Sequence, residues 1–389
     1  MDRHKELTAA KLPDDLVVDI LSRLEYKDFC RGKCAYKAWS AFSSDADYRK
    51  KLPNKVTPGL LFQGRNKSAI PLVSLFQQIG EIDGILADVP HYEHLELLDC
   101  CNGLVLCKYS SSYTTPGICC FVVCNPATRQ WRIIPDTHSK TDDPPYVTIL
   151  AFDPSWSPQF YIFNFHLEHH QGLIFGTSKL EIFWSESSTW LVDDKWDSDI
   201  SVSDRSHLFL HGILYVETNG QQVVVFEGLE EMGDGTLPYH WFINMPSDSF
   251  KVGAFAHGCF GKSSGNLHYA LPGEDGRSIV VWTLYEYAYG LWDWIVKCHL
   301  SMTDAFGRDD LIYLHRHGDG ELYWNCDYWI IALDLEKDLV FLSDHRREKL
   351  LSYNISTGAL NEIQDGFECC QYHAYVPCYS KLPAQESSV

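Results

Sequence analysis

The spacing of apolar residues changes once along this chain, from a helical period near the N-terminus to short strand-like runs over most of the remainder. Between Leu12 and Leu24, residues Leu16, Ile20 and Leu24 stand at i, i+4 and i+8 with Val17 and Leu21 beside them, which predicts one wide apolar helix face. Pro13 suits a first helical turn, where its missing N–H is no loss, and Asp14 and Asp15 favour the positive end of the helix dipole. A second helical stretch is expected from Asp28, a capping residue, through Ala35, Ala38, Trp39 and Phe42, with Gly32 weakening its first half. Two or three short helices over residues 8–52 cannot cover this apolar surface themselves, so the excess is expected to face a partner.

Residues 53–94 carry a mixed pattern and read as a linker and domain entry. From 95 to 380 the chain reads as short strands separated by Gly, Pro, Asn and Asp. Gly103-Leu104-Val105-Leu106, Gly212-Ile213-Leu214-Tyr215, Gly265-Asn266-Leu267-His268 and Gly320-Glu321-Leu322-Tyr323 each open a strand after a turn. Their spacings of 109, 53 and 55 make the first gap two periods with one diverged copy between. A companion hairpin ends in Trp131, Trp190, Trp241 and Trp292, at intervals of 59, 51 and 51. A recurring unit of this length, with several strands in each, predicts a mainly β fold: a β-propeller of about six blades, within a range of five to seven. A β-sandwich would not require such a repeat. The tryptophans are assigned to blade cores, and residues 381–389 to a flexible tail.

The formal net charge is −20, divided as +3 over residues 1–55 and −23 over the rest. An acidic balance of this size disfavours bulk nucleic-acid binding, which needs clustered Lys and Arg, and favours a neutral or basic partner. The charged segment Met1–Leu12 lacks the apolar core of a signal peptide, and no apolar run is long enough for a membrane span. An intracellular protein, in cytoplasm or nucleus and bound to no membrane, is expected. There the fourteen cysteines behave mainly as small buried hydrophobes.

The N-terminal series Leu12-Pro13-Asp14-Asp15-Leu16, Ile20-Leu21-Ser22-Arg23-Leu24, Cys30-Arg31, Lys33-Cys34 and Lys37-Ala38-Trp39 resembles the plant F-box motif, departing from it at Glu25, Ala35 and Tyr36. The later blocks Cys101-Asn102-Gly103-Leu104, Asn125-Pro126-Ala127-Thr128, Phe152-Asp153-Pro154, His211-Gly212-Ile213-Leu214-Tyr215 and Val280-Val281-Trp282 resemble the plant F-box-associated domain. The resemblance implies a three-helix F-box that binds a Skp-family adaptor and through it a cullin, with a propeller-like domain that binds a target protein. That describes a non-catalytic substrate-recognition subunit of an SCF-type ubiquitin ligase. Leu12, Pro13, Leu16, Ile20, Leu21, Leu24 and Trp39 are the adaptor-binding residues it implies.

Other chemistry finds little support. Ala256-His257-Gly258-Cys259-Phe260-Gly261-Lys262-Ser263 fits a loosened P-loop, but a strand follows where a helix should aim its N–H groups at phosphate. Adjacent cysteine pairs such as Cys100-Cys101 point to opposite strand faces, unlike zinc ligands. His166, His169 and His170 flank Glu168 without metalloprotease spacing and are read as an exposed loop. No catalytic residue, metal or cofactor is expected. Trp156, in the turn-rich Asp153-Pro154-Ser155-Trp156-Ser157-Pro158, is a candidate for target contact because no strand alternation would bury it. The alternative functions are an F-box-containing scaffold or a carbohydrate-binding propeller that directs no degradation.

Overall fold

In the computed structural model the chain divides into two compact units, residues 1–57 and 58–389. The described residues are 12–24 and 48, and 59–383 apart from 65–68, 76–80, 83–84, 88, 90–91, 111–118, 136–145, 171–172, 195, 197–199, 219–220, 247–257, 274, 289, 317–321 and 368–371. In the first unit Pro13 opens helix α1 (Asp14–Ser22), its carbonyl accepting the N–H groups of Leu16 and Val17 at 3.0 and 3.1 Å. Val18 and Leu21 are buried and pack with Val17, Leu24 and Tyr48. The expected second helix, residues 28–42, lies outside the described residues.

The second unit is built from antiparallel sheets. Strands β1 (Gly59–Phe62), β2 (Leu72–Ser74) and β3 (Glu81–Ile82) pair in order, then β4 (Leu95–Cys101), β5 (Leu104–Ser110), β6 (Cys119–Asn125) and β7 (Gln130–Pro135) form the next sheet. The third holds β8 (Tyr146–Phe152), β9 (Phe160–His170), β10 (Leu173–Trp184) and β11 (Thr189–Asp193). The fourth holds β12 (Val202–Leu210), β13 (Ile213–Thr218), β14 (Gln222–Glu227) and β15 (Tyr239–Asn244). The fifth holds β16 (Cys259–Ser263), β17 (Asn266–Pro272), β18 (Ser278–Ala288) and β19 (Leu291–Ser301). A short helix α2 (Met302–Phe306), capped by Ser301, and a two-stranded hairpin, β20 (Ile312–Arg316) with β21 (Leu322–Cys326), precede the sixth sheet. That sheet comprises β22 (Tyr328–Asp334), β23 (Leu339–Asp344), β24 (Lys349–Asn354) and β25 (Leu360–Asp365).

The last strand, β26 (Tyr372–Tyr375), returns to the first sheet and pairs with β1 from Gly59↔Tyr375 to Phe62↔Tyr372. Strands β26, β4, β8, β12, β16 and β22 run side by side in that order. Leu350, Ile331 and Ile363 of blade 6 pack on Leu60, Phe62 and Val73 of blade 1. This is a six-bladed β-propeller whose ring is closed by a strand from the far end of the chain, so that each short sheet is flanked by neighbouring blades. Strands packed between two neighbouring blades are covered on both faces, which is why Val223-Val224-Val225-Phe226 and Ile149-Leu150-Ala151-Phe152 read as unbroken apolar runs rather than alternations.

The glycine repeat has a physical origin in three blades. Asn102-Gly103, His211-Gly212 and Ser264-Gly265 join the first two strands of blades 2, 4 and 5, with positive φ at both residues (45° and 92°, 51° and 84°, 50° and 77°). That is the requirement of a two-residue hairpin turn whose twist matches the strands. The diverged copy is the longer Asp153–Gln159 connection of blade 3. Gly320, read as the fourth copy, lies outside the described residues, and the strand after it, β21, belongs to the hairpin between blades 5 and 6 and to no blade. The inner strands start at residues 95, 146, 202, 259 and 328, so this insertion stretches one period to 69 while the others are 51, 56 and 57. Blade 1 draws three strands from the segment expected to be linker.

The tryptophan repeat is corrected as well. Trp131, Trp190, Trp241 and Trp292 lie on the outermost strands β7, β11, β15 and β19, where they are half-buried, or in Trp131 exposed, rather than in blade cores. Blades diverge away from the axis, and large rings fill the widening gap. Trp190 packs against Phe121 and Phe183 and donates from Nε1 to the Pro135 carbonyl at 3.1 Å, while Trp241 meets Trp292 at 5.9 Å. The inter-blade core instead holds Phe121, Phe152, Phe160, Phe163, Phe165 and Phe226.

Candidate functional site

Two surfaces merit description. On α1, Leu12, Leu16 and Ile20 are 51, 51 and 52% exposed, and Pro13 is exposed beside them. These side chains, four residues apart, form an apolar stripe that faces solvent. Of the other residues read as adaptor-binding, Leu21 is buried and Leu24 half-buried, because both face inward with Val18 and Tyr48. Trp39 lies outside the described residues.

In the propeller, the inner strands are tied by buried polar groups. Asp99 on β4 accepts from the Leu150 N–H on β8 at 2.7 Å and the Cys100 N–H at 2.6 Å. It also meets His207 Nε2 on β12 at 3.0 Å and His373 Nδ1 on β26 at 3.2 Å, joining four blades through one carboxylate. Burial pushes the Asp99 pKa upward, but His207 and His373 outweigh it and hold the group well below the usual carboxylate range. At the strand ends, Lys262 Nζ donates to Asn102 Oδ1 at 3.1 Å, linking blades 5 and 2, and Asp153 accepts the His211 N–H at 3.3 Å. Lys262 serves this bridge from strand β16, and the strand β17 follows it after the Ser264-Gly265 turn.

Trp156 is not left standing free. Its ring is half-buried, packs edge-on to Phe209 at 5.7 Å and covers Gly212, where an added Cβ would lie 2.5 Å from its Cε2. The neighbouring blade buries it, a contact invisible in a local strand pattern. The histidine cluster is likewise corrected from loop to strand: residues 166–170 end β9, and His166 is buried with Nε2 3.2 Å from Glu181 Oε2. Glu181 also takes Lys179 Nζ at 2.7 Å. The cysteines described are free thiols, and Cys101, packed between blades 2 and 3, has its pKa pushed up to about 12 by burial.

Blade 5 carries the surface that sequence reasoning missed. Strands β18 and β19 are eleven residues each, and their outer halves project Tyr285, Tyr287, Leu291, Ile295 and Val296, all exposed. One face of this hairpin is covered: Trp282, Leu284, Trp292 and Trp294 pack towards blade 4, with Trp294 Nε1 donating to the Asn244 carbonyl at 2.9 Å. Among the described residues the other face is covered at its inner end, where Ile279, Val281 and Leu300 meet α2 and blade 6. Beyond that lies an open cleft of about 250 Å³. Its floor is buried His268, bonded through Nδ1 to Thr283 Oγ1 at 2.9 Å, and its walls include Tyr285, Ile295 and Lys297. Burial holds His268 below the ordinary histidine pKa, with Lys297 adding to the effect. A polar floor, an apolar wall and an unblocked edge strand suit recognition of a polypeptide. Tyr285 at 44% and Ile295 at 55% exposure signal it in the structure, but in the sequence they are ordinary strand residues.

Comparison with known proteins agrees with this architecture. Residues 72–227, from β2 to β14, match the family described as the F-box associated beta propeller domain. The chain is 24% identical over 311 residues to F-box protein At5g49610 of Arabidopsis thaliana, covering 75% of this chain and 79% of that protein. It is 25% identical over 328 residues to F-box protein At5g07610 of the same plant, covering 80% and 75%. With F-box protein At5g18160 of Arabidopsis thaliana the match is 22% over 147 residues, so the chain spans 37% of that relative's length.

Proposed function

We propose that this chain is the substrate-recognition subunit of an SCF-type ubiquitin ligase. Its N-terminal unit binds a Skp-family adaptor, and through it a cullin, while the propeller holds a target protein. The observation that carries the reading is the exposed stripe of Leu12, Leu16 and Ile20 on a helix whose opposite side is already packed. An apolar stripe in solvent marks an interaction surface, and two relatives matched over most of the chain are F-box proteins. The chain supplies no chemistry of its own in this role. It raises the effective concentration of target beside the charged ubiquitin-conjugating enzyme, which turns ubiquitin transfer into an effectively intramolecular step. The role requires neither nucleic acid nor membrane and sets the protein inside the cell.

The test is co-purification with a Skp-family adaptor. Replacing Leu12 and Pro13 by Ala together with Ile20→Asp is expected to abolish adaptor capture while the β circular-dichroism signal of the propeller is retained. Undiminished capture from the triple variant would overturn the assignment of this stripe.

A further inference from the structure

The outer end of the β18–β19 hairpin combines three features that together specify a partner. Tyr285 and Asp293 are direct cross-strand neighbours, and Ile295, opposite Thr283, follows on the same face. Asp293 accepts only the adjacent Trp294 N–H through Oδ1 at 2.8 Å and joins no ion pair among the described residues. The acidic side chain therefore stands beside an exposed aromatic ring with its charge uncommitted. β19 is the outer strand of its sheet, so an extended segment can lie along it. Finally, residues 56–389 carry a formal charge of −23, a field that draws cationic partners and repels anionic ones.

We infer that this face docks an extended basic segment of the target protein, with a guanidinium or ammonium group between the Tyr285 ring and the Asp293 carboxylate and an apolar neighbour on Ile295. Arginine fits better than lysine, because its planar group stacks on an aromatic face while its N–H fork engages the carboxylate. Lys297, two positions beyond Ile295, disfavours a second cation at the inner end and so orients the segment. The inference rests on the target-receptor reading and names the chemistry of the target.

The experiment uses the full chain and a positional library of ten-residue peptides fixed at the fifth position as Arg, Lys, Gln or Glu. Retention on the immobilised protein is expected to fall in that order, with at least about a tenfold difference between Arg and Glu, a size ordinary for a desolvated ion pair with a cation–π contact. Asp293→Asn should remove most of that difference, and Tyr285→Ala should narrow the gap between Arg and Lys. Val192→Lys, at an exposed position on blade 3, changes the net charge by the same +1 and should leave the ranking intact. A flat ranking in the wild type, or equal loss in Asp293→Asn and Val192→Lys, would overturn the inference by assigning the preference to the overall field. Adaptor capture by the same preparations is scored separately. Loss of adaptor with an intact peptide ranking removes the receptor reading, whereas adaptor capture with a flat ranking removes only this docking face.

Discussion

Replacing Asp99 by Asn tests whether one buried carboxylate holds four blades in register. Four donors converge on it: the N–H groups of Cys100 and Leu150, His207 Nε2 and His373 Nδ1. An asparagine carbonyl can satisfy about two of them and turns an amide N–H₂ towards the others, leaving two buried donors without acceptors at about 1–3 kcal/mol each. Breaking a buried charge pair costs about 3–5 kcal/mol, in the same range. With an unfolding entropy of about 2.1 cal/mol/K per residue, the propeller unit should lose roughly 4–7 °C in Tm. Thermal unfolding of the full chain at pH 7, followed by circular dichroism, reads this directly. The pH dependence has a defined sign: Asp99 has a depressed pKa in the folded state, so its contribution is present above the unfolded value and lost as pH falls below about 4. The wild type should therefore lose stability on acidification more steeply than Asp99→Asn. A Tm change below about 1 °C would refute the reasoning. So would an undiminished effect of Asp99→Asn in a chain already carrying His207→Gln and His373→Gln, because the coupling would then be absent.

Glu217 accepts from the Tyr269 hydroxyl at 2.9 Å, and burial, opposed by hydrogen bonds from Tyr269 and Ser206, raises its pKa to about 7. A raised carboxylate pKa means that its contribution is fullest below the unfolded value and is lost as pH climbs through 7, so Glu217→Gln should flatten the decline in Tm between about pH 5 and 8. At Gly212, φ of +84° and the Trp156 ring both exclude a side chain. Gly212→Ala should cost about 1–3 kcal/mol in denaturant unfolding, and part of that cost should disappear in a Trp156→Ala background.

The parts of the fold legible in the sequence are those set by local backbone chemistry. Asn102-Gly103, His211-Gly212 and Ser264-Gly265 announce themselves because only a narrow set of residues accepts two successive positive φ values, and Pro13-Asp14-Asp15 announces a helix start for a similar reason. What sequence reasoning misread depends on non-local packing. The spacing to β21 matches the repeat by coincidence, since a hairpin inserted between two blades shifts the frame. Blade 1 is hidden because its inner strand comes from residues 372–375, nearly the whole chain away from β1. Trp156 looked free because the residues it packs on, Phe209 and Gly212, belong to the next blade. On α1 the stripe Leu12, Leu16 and Ile20 could be told from Val18 and Leu21 only once the packing of the latter pair was known.

Strand length alone does not mark a recognition surface in this propeller. A blade strand of six residues, such as β13 or β14, spans about 20 Å and suffices to fill the inter-blade space. Both β9–β10 and β18–β19 are about twice that length. In blade 3 the middle of the longer strands is consumed by the fold: Phe163, Phe165, Leu180 and Ile182 are buried, with Phe165 and Trp196 stacked about Phe226 of blade 4. In blade 5 the middle is buried likewise, but among the described residues the outer half packs on one face. Trp292 and Trp294 meet blade 4, whereas Tyr285, Asp293 and Ile295 on the other face extend past α2 and blade 6. Leaving apolar area in water gives up about 25 cal/mol for each Å² not buried, so folding stability alone gives no reason to retain aromatic and aliphatic residues there. Burial against the proposed target segment recovers that area in a second step. The middle of both long hairpins is thus consumed by the fold, and it is the outer half of the blade 5 hairpin, packed on one face, that the proposed docking uses.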